Sequence, residues 1–219
     1  MKAALSTAAA KRPPLEGATK MGTADSFDGT FQVTPGARRR ERKPVVPNEV
    51  FATLVFIFTE LMFFGGLVSA HTITRGLWPM WPPPGQPRLP IEATAFNTAV
   101  LVASAVLMVV AGRREALGQA RAPLTGAMLL GAFFVAAQGY EWVGMLSQGL
   151  TLTSSNHGAF FYLIVGTHAV HVLAGLAVLI MLRARLVAGT LTSSGFQAGR
   201  VFWYFVVALW PVLYWRVYL

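Results

Sequence analysis

The chain has 219 residues, 54% of them hydrophobic and 12% charged, with a mean hydropathy of +0.53 and a formal charge of +9. A chain this apolar cannot hide its greasy stretches inside one soluble core of its size, so composition excludes an ordinary soluble domain and points to a polytopic membrane protein. With no cysteine, disulfides, thiolate metal sites and cysteine nucleophiles are excluded as well.

Residues 1–48 are rich in Ala, Gly, Pro, Thr and charge without a sustained period, which predicts a disordered basic tail. The alanine-rich start has too little hydrophobic length for a secretory signal. The tail closes on Arg38-Arg39-Arg40-Glu41-Arg42-Lys43, a cluster that suits either anionic lipid or a topogenic charge block. Residues 49–219 then carry five stretches that match the roughly 20 apolar residues needed to cross about 30 Å of hydrocarbon.

The first span, about residues 50–72, carries Glu60 near its middle in FIFTELMFFGGLVSAH. A centred acid costs about 3 kcal/mol on insertion scales, so something must offset it. Six prolines with Trp78 and Trp81 make the first loop a stiff connector with rings suited to the interfacial zone. The second span covers about residues 93–111. The third, about residues 124–146, holds Gln138, Tyr140, Glu141 and Trp142 toward its far end. The fourth, about residues 157–182, places His168 and His171 three apart on one helical face with Gly175 a turn beyond. The fifth, about residues 201–218, is dense in aromatics, and Pro211 inside it should kink the helix or free a carbonyl. Gly65, Gly66, Gly166 and Gly175 read as close-packing points.

Charge counting gives the orientation. With the amino end inside, the tail holds nine Lys/Arg, the second loop three and the fourth loop three, against Arg75, Arg88 and Arg216 outside. Fifteen inside and three outside satisfies the positive-inside rule, with the N-terminus cytoplasmic and the C-terminus periplasmic. A nucleic-acid partner is unnecessary to explain the basic charge.

On this topology Glu60 and His168 coincide in depth near the midplane, with His171 one turn further inward in the same middle layer and Arg185 near the inner headgroups, while His71, Gln138, Glu141 and His157 form a second polar layer toward the outer face. Ionisable groups at membrane depth turn toward protein, so both layers should face inward. The residues alone leave several roles open. The histidines can bridge helices by hydrogen bonds, relay protons or ligate a metal, though a metal wants three or four donors and one helix cannot supply both axial ligands of a haem. No phosphate-cradling loop, nucleophile elbow or HExxH pattern is present, so no catalytic residue is assigned.

At these residues the chain resembles the subunit III family of the haem-copper oxidases, with cytochrome c and quinol oxidases among its members. FIFTELMFFGGL, a small-residue second span around Asn97, Thr98 and Ser104, LLGAFFVAAQGYEW, GAFFYLIVGTHAVHVLAG and FWYFVVALWPVLYWRVYL run in the family's order from Val50 to the end. The resemblance implies an all-α integral membrane fold, the short bacterial form of five transmembrane helices in a bundle, in the inner membrane. It implies that Glu60 is the family's carbodiimide-reactive carboxyl and that Glu60, His171 and Arg185 lie on a lipid-holding cleft that binds phospholipid, with His168 beside them in the proton-related set. It implies too that haem and copper belong to partner subunits, chiefly the catalytic subunit I, and that this chain supports aerobic respiration by stabilising that subunit and maintaining its proton uptake. One departure stands out: where the family's last helix reads Trp-His-Phe-Val-Asp, this chain has Trp203-Tyr204-Phe205-Val206-Val207, and Tyr204 keeps only a hydroxyl. A subunit III-like component of a nitric oxide reductase is the near alternative, and a small proton-coupled transporter using Glu60 and His168 is the alternative of a different class.

Overall fold

In a computed structural model that describes residues 45–115 and 118–219, five helices follow one another: α1 (Asn48–Gly76), α2 (Ile91–Arg114), α3 (Arg121–Ser147), α4 (Asn156–Ala188) and α5 (Ser193–Val217). All five are long and apolar enough to cross a membrane, and the described residues contain no strand, so the chain is a multi-pass, all-helical membrane protein. The basic tail expected over residues 1–48 lies almost wholly outside the described residues.

Each expected span falls on a helix, and the helices overrun the hydropathy-based bounds because polar residues continue a helix into the headgroup zone. α5 starts eight residues before the expected Val201, where the Thr192 side chain accepts the Gly195 N–H and caps the first turn. α4 begins where the Ser155 hydroxyl accepts the Gly158 N–H at 3.1 Å and ends at Gly189, whose φ of 71° is a left-handed stop that glycine adopts without a Cβ clash. α5 runs on through Pro211, which has no N–H to give the Val207 carbonyl one turn back.

α2 packs on α3, α3 on α4, α4 on α5 and α5 back on α2, closing a four-helix ring, and α1 lies outside it against α5 and α4. The spacing of buried residues explains the ring. On α2 these are Thr94, Asn97, Leu101, Ser104, Met108 and Ala111, and on α3 they include Leu124, Ala127, Gly131, Phe134 and Gln138. Steps alternating between three and four residues are the seam of a left-handed coiled coil, the commonest packing of membrane helices. Aromatic side chains of α5 fill the centre. Trp203 donates its indole N–H to Ser104 of α2 at 3.2 Å and lies over Gly131 of α3 and Gly175 of α4, where an added Cβ would come within 2.7 and 2.8 Å of its ring. Trp210 meets Phe134 edge to face at 5.1 Å and donates to Thr98 at 2.9 Å.

α1 buries little: Phe64 and His71 are its buried residues, while Phe51, Phe58, Leu61 and Met62 face outward. Its ends are tied to α5, by Ser194 donating to the Glu49 carboxylate at 3.2 Å and by Arg216 donating to Thr72 at 3.1 Å. Of the glycines expected at close contacts, Gly175 is one, but a Cβ on Gly65 or Gly66 would meet nothing within 4 Å, Gly65 lining a 280 Å³ cavity that separates it from α5.

Candidate functional site

Two ends of the bundle need names: the basic end, bearing Arg113, Arg114, Arg121, Arg183 and Arg185, and the proline-loop end, bearing residues 77–90. Between them Glu60 of α1 meets His171 of α4, with Oε2 3.0 Å from Nε2. The other ring nitrogen, Nδ1, lies 2.9 Å from the Thr167 carbonyl oxygen. A carbonyl only accepts, so Nδ1 carries a hydrogen, and the short Nε2 to Oε2 contact then needs one hydrogen of its own. Either the ring is an imidazolium beside a carboxylate, or a neutral imidazole accepts from a carboxylic acid. Both forms are neutral as a pair, so the α4 partner removes the lone charge that makes a mid-membrane acid costly. Phe64 stands edge-on to the His171 ring at 5.4 Å, and Phe56 lies 6.5 Å from it.

Phe56 is also a wall of a 440 Å³ cavity on the basic-end side of the pair, lined by Ala52 and Thr53 of α1, Met181 and Arg185 of α4 and Phe202 of α5. Its walls are apolar, and the Arg185 guanidinium is its cation. The Glu60–His171 contact is the one side-chain ion pair among the described residues, so Arg185 has no carboxylate partner among them.

His168 shares the depth of this pair but not its bonding. It is 1% exposed and stacks on Trp210 at 4.9 Å, and neither ring nitrogen has a hydrogen-bond partner. Three residues from His171, it is rotated toward α5 while His171 turns toward α1.

The second polar layer divides in two. In one part Thr94 donates to Glu141 Oε2 at 2.8 Å and Gln138 Nε2 donates to the same oxygen at 3.1 Å. Gln138 also donates to the Tyr218 hydroxyl at 3.1 Å, and Asn97 Nδ2 donates to Gln138 Oε1 at 3.4 Å and the Phe134 carbonyl at 3.2 Å. That carbonyl fixes which way the Asn97 amide points, and Asn97 then fixes Gln138, so the chain of donors runs one way, toward Glu141. In the other part His71 and His157 each make an edge-to-face contact with Trp81, at 5.5 and 5.3 Å. The structure thus gathers Gln138 with Glu141, and His71 with His157, as two groups rather than one layer.

Thr94, Tyr218 and Trp81 were not singled out as site residues from the sequence. A signal existed for the first: Thr94, Asn97, Thr98 and Ser104 form a polar stripe at helical spacing on an otherwise apolar span. Trp81 and Tyr218 are placed by tertiary packing that no local pattern encodes. Among the described residues no three His, Cys, Asp or Glu side chains gather closely enough to hold a metal ion.

Comparison with known proteins places this arrangement. Residues 41–219 match the family model for cytochrome c oxidase subunit III. A probable cytochrome c oxidase subunit 3 of Nocardia farcinica is 33% identical over 198 residues, covering 84% of this chain and 96% of its own. Cytochrome c oxidase subunit 3 of Corynebacterium diphtheriae is 32% identical over 185 residues, with coverage of 78% and 88%. That of Synechocystis is 31% identical over 207 residues, with coverage of 90% and 86%. With five apolar spans in sequence order and a family match reaching from the edge of the tail to Leu219, the chain belongs to the cytochrome c oxidase subunit III family, whose members work as parts of an oxidase complex.

Proposed function

We propose that this chain is a non-catalytic subunit of a bacterial respiratory haem-copper oxidase. In this reading it lies in the cytoplasmic membrane with its basic end inside, carries no haem or copper of its own, and keeps the catalytic subunit I working by holding phospholipid and sustaining proton uptake during oxygen reduction.

The observation that carries the reading is the cavity between α1, α4 and α5. An apolar trough with one guanidinium that has no carboxylate partner among the described residues is what a phospholipid needs: acyl chains along Phe56, Met181 and Phe202, and a phosphate at Arg185. Beyond Phe56, the neutral Glu60–His171 pair holds one exchangeable hydrogen between two helices, a group able to take or give a proton without exposing a bare charge to hydrocarbon.

Deletion of the chain from the assembled oxidase, followed by continuous oxygen-consumption assays, tests this. Oxygen reduction should begin near the normal rate and then decay with turnover, faster than in the complete enzyme. Immediate loss of all activity with the haems intact would remove the supporting role.

A further inference from the structure

The three arginines at the proline-loop end are not spread over its surface. Arg75 and Arg88 line a 270 Å³ cavity together with Trp81, His157 and Tyr218, and Arg75 and Arg216 line an adjoining 410 Å³ cavity together with His71 and Trp215. No Asp or Glu lines either one. Arg75 donates to a terminal carboxylate oxygen of Leu219 at 3.2 Å and Arg216 to Thr72, while Arg88 has no hydrogen bond or ion pair among the described residues.

The other polar groups lining these cavities are short of partners. His157 is 3% exposed and its Nε2 has no partner, His71 is 2% exposed and its Nδ1 has none, and the Trp81 indole N–H is buried and unmatched. Guanidinium and indole groups only donate, and Tyr218, whose oxygen accepts from Gln138, keeps its own hydrogen to give. Three guanidinium groups against the one terminal carboxylate of Leu219, with an excess of unmatched donors, make up the complement of an oxyanion.

We propose that the proline-loop end of the bundle binds a phosphate-bearing anion, with Arg75 and Arg88 as its charge partners and the Trp81–His157 corner as its wall. The smaller cavity opens among the ends of α1, α2, α4 and α5, where a free oxyanion enters from water. The larger lies between the ends of α1 and α5 beside the outward-facing Trp215, where a lipid headgroup reaches the same arginines.

The test uses the full chain purified in a phosphate-free maltoside, and the assembled oxidase beside it. Inorganic phosphate is titrated against chloride at fixed ionic strength while ³¹P line broadening is followed, and retained phospholipid is weighed by native mass spectrometry. Saturable binding is expected, about tenfold weaker in Arg88→Gln, as loss of one charge-assisted hydrogen bond implies, and unchanged in Arg114→Gln at the opposite end. Arg88 is an exposed loop residue, so its substitution leaves folding intact, and Arg75→Lys is a second variant that keeps the charge but loses the fork. A phospholipid retained by the unsubstituted chain and lost in Arg88→Gln identifies a headgroup as the source; equal lipid in both, with phosphate weakened only in the variant, identifies the free anion. Broadening that never saturates, or falls equally in Arg114→Gln, overturns the proposal. So does phosphate binding by the free chain that vanishes in the assembled oxidase, which would give the cavity to a partner's carboxylate.

Discussion

Glu60 can stand in the middle of a membrane-crossing helix because His171 completes a neutral pair with it, and this has a chemical consequence. The pair is partly open at the surface of the chain, with side-chain exposures of 14% and 18% for His171 and Glu60, and only the Phe56 ring beside it lines the apolar cavity. A hydrophobic carbodiimide in the membrane should therefore label Glu60. Mass mapping should find the adduct there and lose it in Glu60→Gln, while Glu141→Gln leaves it unchanged, because Thr94 and Gln138 already occupy the Glu141 carboxylate. Adduct that persists in Glu60→Gln would remove Glu60 from the site. Counting depth along the sequence set Glu60 level with His168 and His171 one turn further inward, yet it is His171 that meets Glu60. Depth is one coordinate, and the rotation that sends His168 to Trp210 and His171 to Glu60 depends on where α1 and α5 pack.

Helix positions were readable from hydropathy, whereas helix ends and contacts were not. The polar start of α5, Ser193 to Arg200, falls below any spanning threshold, and only the Thr192 cap shows that the helix begins there. Glycines were harder still. Gly65, Gly66 and Gly175 look alike in sequence, yet only Gly175 faces a side chain that forbids a Cβ, the Trp203 ring. Gly175→Ala should consequently overpack the centre by about 1–3 kcal/mol and lower the thermal midpoint in detergent by roughly 2–10 °C. Gly139, where a Cβ meets nothing within 4 Å, supplies the contrast: Gly139→Ala should be neutral or gain about 0.5–1 kcal/mol from helix propensity. Adding Trp203→Phe should return part of the loss in Gly175→Ala. Equal midpoints for Gly175→Ala and Gly139→Ala would show that Trp203 does not set the α4–α5 distance.

At the scale of the whole molecule, a four-helix ring with α1 laid against one side sets a polar pair, an apolar trough and a cation one after another along the helices. That order has a functional meaning only if Arg185 lies at the cytoplasmic headgroups, which the charge bias predicts but the helices alone do not fix. Single cysteines can decide it, because the chain has none of its own. Thr153 lies in the α3–α4 connection at the proline-loop end, Gln119 and Thr190 lie in the two connections at the basic end, and all three are exposed. In intact spheroplasts a membrane-impermeant maleimide should block Thr153→Cys, and Gln119→Cys and Thr190→Cys should react only after permeabilisation. The reverse pattern would put Arg185 at the outer leaflet, and the Glu60–His171 hydrogen would then communicate with the periplasmic half of the membrane, so that a role in taking protons from the cytoplasm could not stand. Reaction of all three from one side would contradict the membrane crossings of α3 and α4, the helices that separate these connections.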